Sequence, residues 1–201
     1  AIKAFHLTSL RRMQLRDVAD PLIDKPDDVL IEMGAVGVCG SDIHYYTAGR
    51  IGDQVVEYPF TVGHESAGTV VAVGSEVTRL QAGDRVAIEP AITCGKCDQC
   101  LAGRENTCRA NRFLGCPGQA EGSLSQYLVM PQQNCFQIAD TLSLAEATVS
   151  EPLAIAIYAV EQSRLSAHHS IGILGLGPIG RTVLLAAEDQ GCEKIYCTDR
   201  I

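Results

Sequence analysis

The segment SIGILGLGPIGRTVLLAAEDQGCEKIYCTD, residues 170–199, decides the fold of the C-terminal part of the chain. An apolar run over 170–176 predicts a buried strand, helix-forming residues over 178–190 predict a helix, and Lys194–Thr198 predicts a second strand. Gly191 is expected to end the helix in the left-handed conformation. A strand, a helix and a strand of these lengths make one β-α-β unit, which joins two parallel strands.

Three glycines between the first strand and the helix have the spacing of a dinucleotide-binding loop. Gly175 is expected to make the tight turn, Gly177 to let a pyrophosphate approach the backbone, and Gly180 to let the helix pack against the strand. The helix N-terminus offers unpaired N–H groups to phosphate. Asp199, 19 residues after Gly180, can bind both ribose hydroxyls and would repel a 2′-phosphate, which favours NAD over NADP. The alternative is an ordinary strand–turn–helix junction.

Four of the nine cysteines lie within 15 positions, with gaps of two, two and seven residues: Cys94, Cys97, Cys100 and Cys108. This clustering indicates metal ligands rather than a disulfide framework. Four thiolates can close around one tetrahedral zinc and leave no open position, which is typical of a structural site. The alternatives are free thiols or an iron–sulfur cluster, although the ferredoxin run ends in a gap of three and Cys-Pro, unlike this one.

A second group of possible metal ligands is spread along the chain: Cys39, His64, Glu65 and Glu151. One thiolate, one imidazole and one or two carboxylates would leave a zinc position open for water or an alcohol oxygen. Asp42 could accept the free ring N–H of His64 and fix its tautomer. Ser41 and His44 could pass a proton from a metal-bound alcohol to solvent. From the residues alone, a buried cysteine and a core histidine are the alternative.

The region before these helical patterns is rich in short β-runs separated by Gly, Pro and Asp. The clearest predicted strands are 29–38, Ser66–Val73, Arg85–Ile88 and 125–130. Ser143 and Glu146 form a predicted capping box, and a helical pattern then continues to Val160. Pro152 interrupts that pattern and is expected at the first position of a second helix. We expect a β-rich domain over 1–150 and an incomplete nucleotide-binding domain over 151–201, with a longer native protein.

Composition excludes several classes of protein. The chain has 201 residues, 46% of them apolar and 20% charged, with a net charge of −8. This acidic balance argues against nucleic acid or an anionic membrane as the main partner. No apolar run reaches about 18 residues, and the first 20 residues lack the apolar segment of a secretory signal, so we expect a cytoplasmic protein.

The order of these motifs resembles that of the zinc-dependent medium-chain dehydrogenase/reductase family. The matching runs are Cys-Gly-Ser-Asp-Ile-His (39–44), Gly-His-Glu (63–65), the four cysteines, Glu-Pro (151–152) and Gly-Leu-Gly-Pro-Ile-Gly (175–180). Within the family, polyol dehydrogenases of the sorbitol/xylitol type are similar at 39–46, Gly-Arg-Ile-Gly-Asp (49–53) and Glu-Pro-Leu (151–153). The resemblance implies an α/β protein overall: a GroES-like β-rich catalytic domain followed by the start of a doubly wound Rossmann domain.

The resemblance also implies roles for individual residues. It implies that Cys39, His64 and Glu65 bind the catalytic zinc, with Glu151 near the metal directly or through water. The proton relay would contain Ser41 and His44. The implied substrate contacts are Tyr45, Phe113 and Glu151, and the implied NAD contacts are Gly175, Gly177, Pro178, Ile179, Gly180 and Asp199.

The expected function is the transfer of a hydride from a secondary hydroxyl of a polyol to NAD, which gives a ketose. The expected cofactors are one catalytic zinc, one structural zinc and NAD, and the full-length protein is expected to be a homotetramer. An L-threonine or other secondary-alcohol dehydrogenase of the same superfamily is one alternative. A zinc and nucleotide-binding module without activity is another.

Overall fold

The computed structural model describes residues 1–200. The chain divides into two compact units, the first spanning Ala1–Thr148 and the second beginning at Val149. The strands of the first unit are β1 (Ile2–Ser9), β2 (Arg12–Val18), β3 (Asp28–Val36), β4 (Arg50–Ile51), β5 (Gln54–Val55), β6 (Ser66–Val73), β7 (Arg85–Ile88), β8 (Ala91–Ile92), β9 (Arg112–Phe113), β10 (Tyr127–Pro131) and β11 (Cys135–Gln137). Its helices are α1 (Gly40–Ala48), α2 (Asp98–Leu101) and α3 (Leu144–Ala147), with short 3₁₀ turns at Glu105–Thr107 and Gln132–Asn134.

A five-stranded antiparallel sheet forms the centre of the first unit, in the order β10-β3-β6-β7-β11. Its core contains β-branched and aliphatic side chains such as Val29, Ile31 and Val70, which are almost fully buried. The four predicted strands are confirmed, with small shifts at the ends of two. The strand predicted at 29–38 ends at Val36, and Val38 is 62% exposed where the chain leaves the sheet. The strand predicted at 125–130 runs over Tyr127–Pro131.

The hairpin of β1 and β2 and helix α1 are among the elements of the first unit that were not predicted. The hairpin of β1 and β2 pairs Ile2 with Val18, and no residue of β2 is fully buried. Helix α1 begins after Cys39 and ends at Gly49, which has a φ of 71°. Helix α1 carries residues proposed to act in the site, as described below.

The predicted capping box at the start of α3 is confirmed. The Ser143 hydroxyl accepts a hydrogen bond from the Glu146 N–H at 3.1 Å, and the Glu146 carboxylate accepts one from the Ser143 N–H at 2.8 Å. The helix packs on the sheet, where Ala147 is buried with Ala67 and Ala87. This short helix therefore covers part of the sheet at the end of the first unit.

The second unit contains α4 (Ser150–Ser163), β12 (Ser170–Leu174), α5 (Pro178–Asp189) and β13 (Lys194–Thr198). The predicted β-α-β unit is confirmed, since β12 and β13 pair in parallel and α5 connects them. Gly191 has the expected left-handed φ of 74°. The position of Pro152 was predicted wrongly: it is the third residue of α4, where the N–H that proline lacks would have no helical partner. Helices α4 and α5 bury Ala156 and Val160 against Ala186.

Within residues 1–200, no helix is long and apolar enough to cross a membrane.

Candidate metal and substrate site

The four clustered cysteines lie in the first unit around α2, and their Sγ atoms are all within 4.8 Å of one another. Cys97 Sγ lies 3.5 Å from Cys100 Sγ and 4.0 Å from Cys108 Sγ, and all four thiols are free of disulfides. Tetrahedral zinc at about 2.3 Å from each thiolate needs sulfurs about 3.8 Å apart. The four side chains therefore fit a closed zinc site.

Backbone N–H groups around this cluster stabilise thiolates. The N–H groups of Lys96 and Cys97 lower the pKa of the Cys94 thiol. Those of Arg109 and Cys100 lower the pKa of the Cys97 thiol to about 6, whereas desolvation raises that of Cys100 to about 12. A cation is the counter-charge that would allow all four groups to ionise together, because a coordinating thiol is deprotonated outright.

A second cluster of possible ligands is formed by Cys39, His64 and Glu65, whose donor atoms also lie within 4.8 Å of one another. The sheet brings them together, because Val36 at the end of β3 pairs with Ser66 at the start of β6. Residues that follow one strand and precede the other therefore meet at the same edge. One sulfur, one imidazole nitrogen and one carboxylate oxygen suit zinc and leave a tetrahedral position open.

Asp42 holds the two segments of this cluster together from a position that is 5% exposed. Its carboxylate accepts hydrogen bonds from the Cys39 N–H at 3.0 Å and from the Gly63 N–H at 3.1 Å. The expected bond to His64 is not formed: the Nδ1–Oδ1 distance is 3.8 Å, which is too long for a hydrogen bond. The carboxylate is occupied instead by the two backbone donors next to the proposed ligands.

The absence of a side chain at Gly37 makes room for Glu65. A Cβ atom at Gly37 would overlap the Glu65 carboxylate and lie 2.9 Å from the Glu65 Cβ. The Gly37 N–H also donates to the Glu65 carbonyl at 2.6 Å. On the other side of the cluster, the Phe113 ring packs edge-on against the His64 ring, with centroids 5.5 Å apart. These contacts restrict the positions of two of the three proposed ligands.

A cleft of about 410 Å³ opens beside His64. It brings together three residues expected at the site, Ser41, Tyr45 and Phe113. Its polar lining also includes residues that the sequence did not single out: Gln54, Asn111, Cys116 and Gln119. Among the described residues that line it, none is Lys, Arg, Asp or Glu. The cleft is therefore polar, and the ionisable side chains in its lining are those of His64, Cys116 and Tyr45.

Helix α1 positions the three residues expected to act on the proton and the substrate. Ser41 lines the cleft, and His44, one turn later, is exposed. Tyr45 is buried, and its hydroxyl donates to Gln54 Oε1 at 3.0 Å. Burial raises the pKa of Tyr45, and the neighbouring Cys116 thiol adds to the rise, so the phenol remains protonated as a donor.

Glu151 belongs to the second unit, where it is the second residue of α4. The dinucleotide loop lies in the same unit, between β12 and α5. Gly175 has a φ of 101°, which a residue with a side chain rarely adopts, and its N–H donates to the Thr198 carbonyl at 2.8 Å. A Cβ at Gly180 would overlap the Gly175 carbonyl, whereas a Cβ at Gly177 would meet no atom within 4 Å. This is the open backbone that a pyrophosphate needs.

Asp199 directly follows β13, and its carboxylate accepts hydrogen bonds from the N–H groups of Leu176 and Arg200 at 2.5 and 2.6 Å. These two donors lower the pKa of Asp199, so the carboxylate is charged. The bond to Leu176 ties the end of β13 to the glycine loop. The residues expected to hold the pyrophosphate and the ribose are therefore joined within the second unit.

Comparison with known proteins gives the family. Residues 25–140 match the model of the alcohol dehydrogenase GroES-like domain. The chain is 44% identical over 198 residues to a sorbitol dehydrogenase from Bacillus subtilis (strain 168), and 37% identical over 196 residues to a D-xylulose reductase A from Aspergillus niger. These alignments cover 98% of the chain in both cases, and 56% and 54% of the relatives.

The fold is also that of solved relatives. The structure of a protein described as a zinc-binding dehydrogenase from Sinorhizobium meliloti 1021, solved with NADP bound, superposes with a TM-score of 0.88 at 34% identity. That alignment covers 100% of this chain and 56% of the other. The chain thus spans a little over half the length of the curated relatives that it matches.

The chain belongs to the alcohol dehydrogenase family that carries the GroES-like domain. Within that family it is a zinc-dependent medium-chain dehydrogenase/reductase related to polyol dehydrogenases, as the resemblance implied. The relatives support zinc and a nicotinamide as the cofactors of such a protein.

Proposed function

We propose that the full-length protein is an NAD-dependent polyol dehydrogenase that oxidises a secondary hydroxyl of a sorbitol- or xylitol-type substrate to a ketone. The observation that carries the proposal is the convergence of Cys39, His64 and Glu65 beside an uncharged polar cleft. The related sorbitol dehydrogenase and D-xylulose reductase support the same substrate class.

The proposal assigns different roles to the two groups of ligands. The four cysteines would hold a structural zinc, since four thiolates leave no position for a substrate. Cys39, His64 and Glu65 would hold the catalytic zinc, and Glu151 would lie near it directly or through water. Zinc at the second site would lower the pKa of a bound hydroxyl, and NAD would accept the hydride.

The side chains of α1 would move the proton that the substrate hydroxyl loses. Ser41 lies in the cleft and the exposed His44 is one turn further along the same face of the helix, so the pair connects the reacting hydroxyl with solvent. The buried Tyr45 would donate to a substrate hydroxyl or share its bond to Gln54 with one. Phe113 would cover the cleft beside His64, and Glu151 would contact polyol hydroxyls.

In the second unit, the glycine loop and the start of α5 would bind the cofactor. Gly177 precedes α5 and Pro178 is its first residue. The N–H groups of Gly177 and Ile179 therefore lie at the helix N-terminus, where a pyrophosphate is favoured. Gly175 and Gly180 maintain the turn and the close helix–strand contact. The charged Asp199 would bind the ribose hydroxyls and disfavour a 2′-phosphate, which supports NAD over NADP.

The lining of the cleft favours polyols over L-threonine. An amino acid brings a carboxylate, and a buried carboxylate needs a cationic partner. The described residues that line the cleft include no Lys or Arg to supply one. We further propose that the full-length protein is a cytoplasmic homotetramer whose partners are small-molecule polyols. The net charge of −8 supports the exclusion of nucleic acid and anionic membranes as partners.

The test is NADH formation by the full-length protein at saturating NAD, with sorbitol, xylitol and L-threonine compared side by side. We expect kcat/KM for at least one polyol to exceed that for threonine by tenfold or more. Turnover of threonine alone would contradict the proposal in favour of an amino-acid dehydrogenase. Failure to oxidise any of the three, with zinc and NAD bound, would contradict it in favour of a binding module or a different alcohol substrate.

A further inference from the structure

Three carboxamide side chains contribute to the lining of the cleft beside His64: Gln54, Asn111 and Gln119. A carboxamide carries both hydrogen-bond donors and an acceptor without a net charge. A hydroxyl group also donates and accepts, so amides of this kind match it without the desolvation penalty of an ion. A cleft that bound only an apolar alcohol tail would bury these groups at a cost.

The side-chain oxygen of Asn111 accepts no hydrogen bond from the described residues. This Oδ1 atom is buried. Leaving such an atom unsatisfied costs about 1–3 kcal/mol, so buried acceptors are usually paired with protein groups or with a ligand. Because Asn111 lines the cleft, a small rotation of its amide would bring this acceptor within reach of a hydroxyl that enters the cleft.

Gln119 is oriented so that its donors remain available. Its Oε1 accepts a hydrogen bond from the Phe113 N–H at 2.8 Å, which fixes the amide and leaves the Nε2 hydrogens without a described partner. Gln119 therefore offers donors and Asn111 an acceptor in the same cleft. The bond to Phe113 also connects Gln119 to the ring that packs on His64.

We propose that Asn111 and Gln119 bind a substrate hydroxyl other than the one that reacts, and that they thereby select polyols over alcohols with a single hydroxyl. The inference rests on the proposed function and deepens it, since it assigns specificity to residues outside the expected metal and proton-transfer sets. A hydroxyl that donates to Asn111 and accepts from Gln119 would complete the hydrogen bonding of both amides. A site built to bind a substrate hydroxyl rejects an analogue that lacks it, because its polar groups are then unpaired.

The experiment uses the full-length protein and compares xylitol with 2-butanol, an alcohol with one secondary hydroxyl. Asn111→Leu removes the amide, and Gln119→Glu retains the acceptor for the Phe113 N–H while it removes the Nε2 donors. We expect each variant to lower kcat/KM for xylitol about tenfold and to leave that for 2-butanol within about twofold, since one lost hydrogen bond changes affinity by about that factor. The Kd of xylitol on the NADH-saturated enzyme, measured by calorimetry, should rise by the same factor.

The matched controls are Asn106→Leu and Gln81→Glu, which change exposed amides outside the cleft and should alter neither substrate. An equal loss for both substrates, or an unchanged Kd for xylitol, would overturn the inference. If Asn111→Leu does not fold, the Gln119→Glu result decides alone. Failure of the wild-type protein to oxidise any polyol would instead contradict the proposed function, so the two claims fail separately.

Discussion

Replacement of Gly37 by alanine should weaken the proposed catalytic metal site although no ligand is substituted. Gly37 has no positive φ, so alanine fits the backbone, but its Cβ would overlap the Glu65 carboxylate. Overpacking of this kind costs about 1–3 kcal/mol unless a neighbour moves. The free end of the Glu65 side chain is the part that can move, and its displacement separates it from Cys39 and His64.

We expect Gly37→Ala to lower zinc affinity at this site about 10–100-fold, the range seen when groups that orient ligands are lost. Zinc affinity is measured by competition with a chromogenic chelator, and stability by urea denaturation. Gly40→Ala is the matched control, because a Cβ there meets no atom within 4 Å although it adjoins Cys39. Unchanged zinc affinity in Gly37→Ala, or an equal loss in the control, would contradict this role of Gly37.

Three further substitutions test the cofactor loop, the four-cysteine site and the role of Asp42. Gly180→Ala should raise the Kd of NADH at least tenfold, because its Cβ would overlap the Gly175 carbonyl. Gly172→Ala is the control, since its Cβ would meet no atom within 4 Å, and it should leave the Kd unchanged. Fluorescence titration measures both variants, and equal Kd values would contradict the role of the loop. Cys97→Ser should remove one zinc per chain and lower the unfolding midpoint, whereas a retained zinc would refute the four-cysteine site. Asp42→Asn should cost about 1.5–3 kcal/mol in urea denaturation, because the amide can accept only one of the two backbone bonds, and no loss would show that these bonds are dispensable.

The sequence predicted the β-α-β unit well because its signals are local. Helical periodicity over 178–190 and the glycines around it define the helix to within one residue of its observed end, Asp189. Helix α1 had no such signal, since only Asp42 and Tyr45 of its nine residues are buried. The capping residues at the N-terminus of α1 are present, but their types are unusual. The Asp42 carboxylate accepts from the N–H of Cys39, and cysteine stands where a capping box normally has Ser or Thr.

The sequence predicted which residues form the site but not which atoms contact one another there. The motifs named Cys39, His64 and Glu65, and the pairing of Val36 with Ser66 explains how residues 25 positions apart meet. The partner of Asp42 could not be derived, because the choice between the His64 ring and the backbone at Cys39 and Gly63 depends on distances of less than 1 Å. The amides of the cleft have no spacing signal, since Gln54 of β5 lies more than 50 residues before Asn111 and Gln119.

We propose two separate zinc sites in this protein, one closed by four cysteines and one open to substrate. The most direct test is the zinc content per chain of the full-length protein and its Cys39→Ser variant, measured by native mass spectrometry. We expect two zinc ions per chain for the wild type and one for the variant, with the loss of polyol oxidation. A single zinc in the wild type, or an unchanged count and activity in Cys39→Ser, would contradict it.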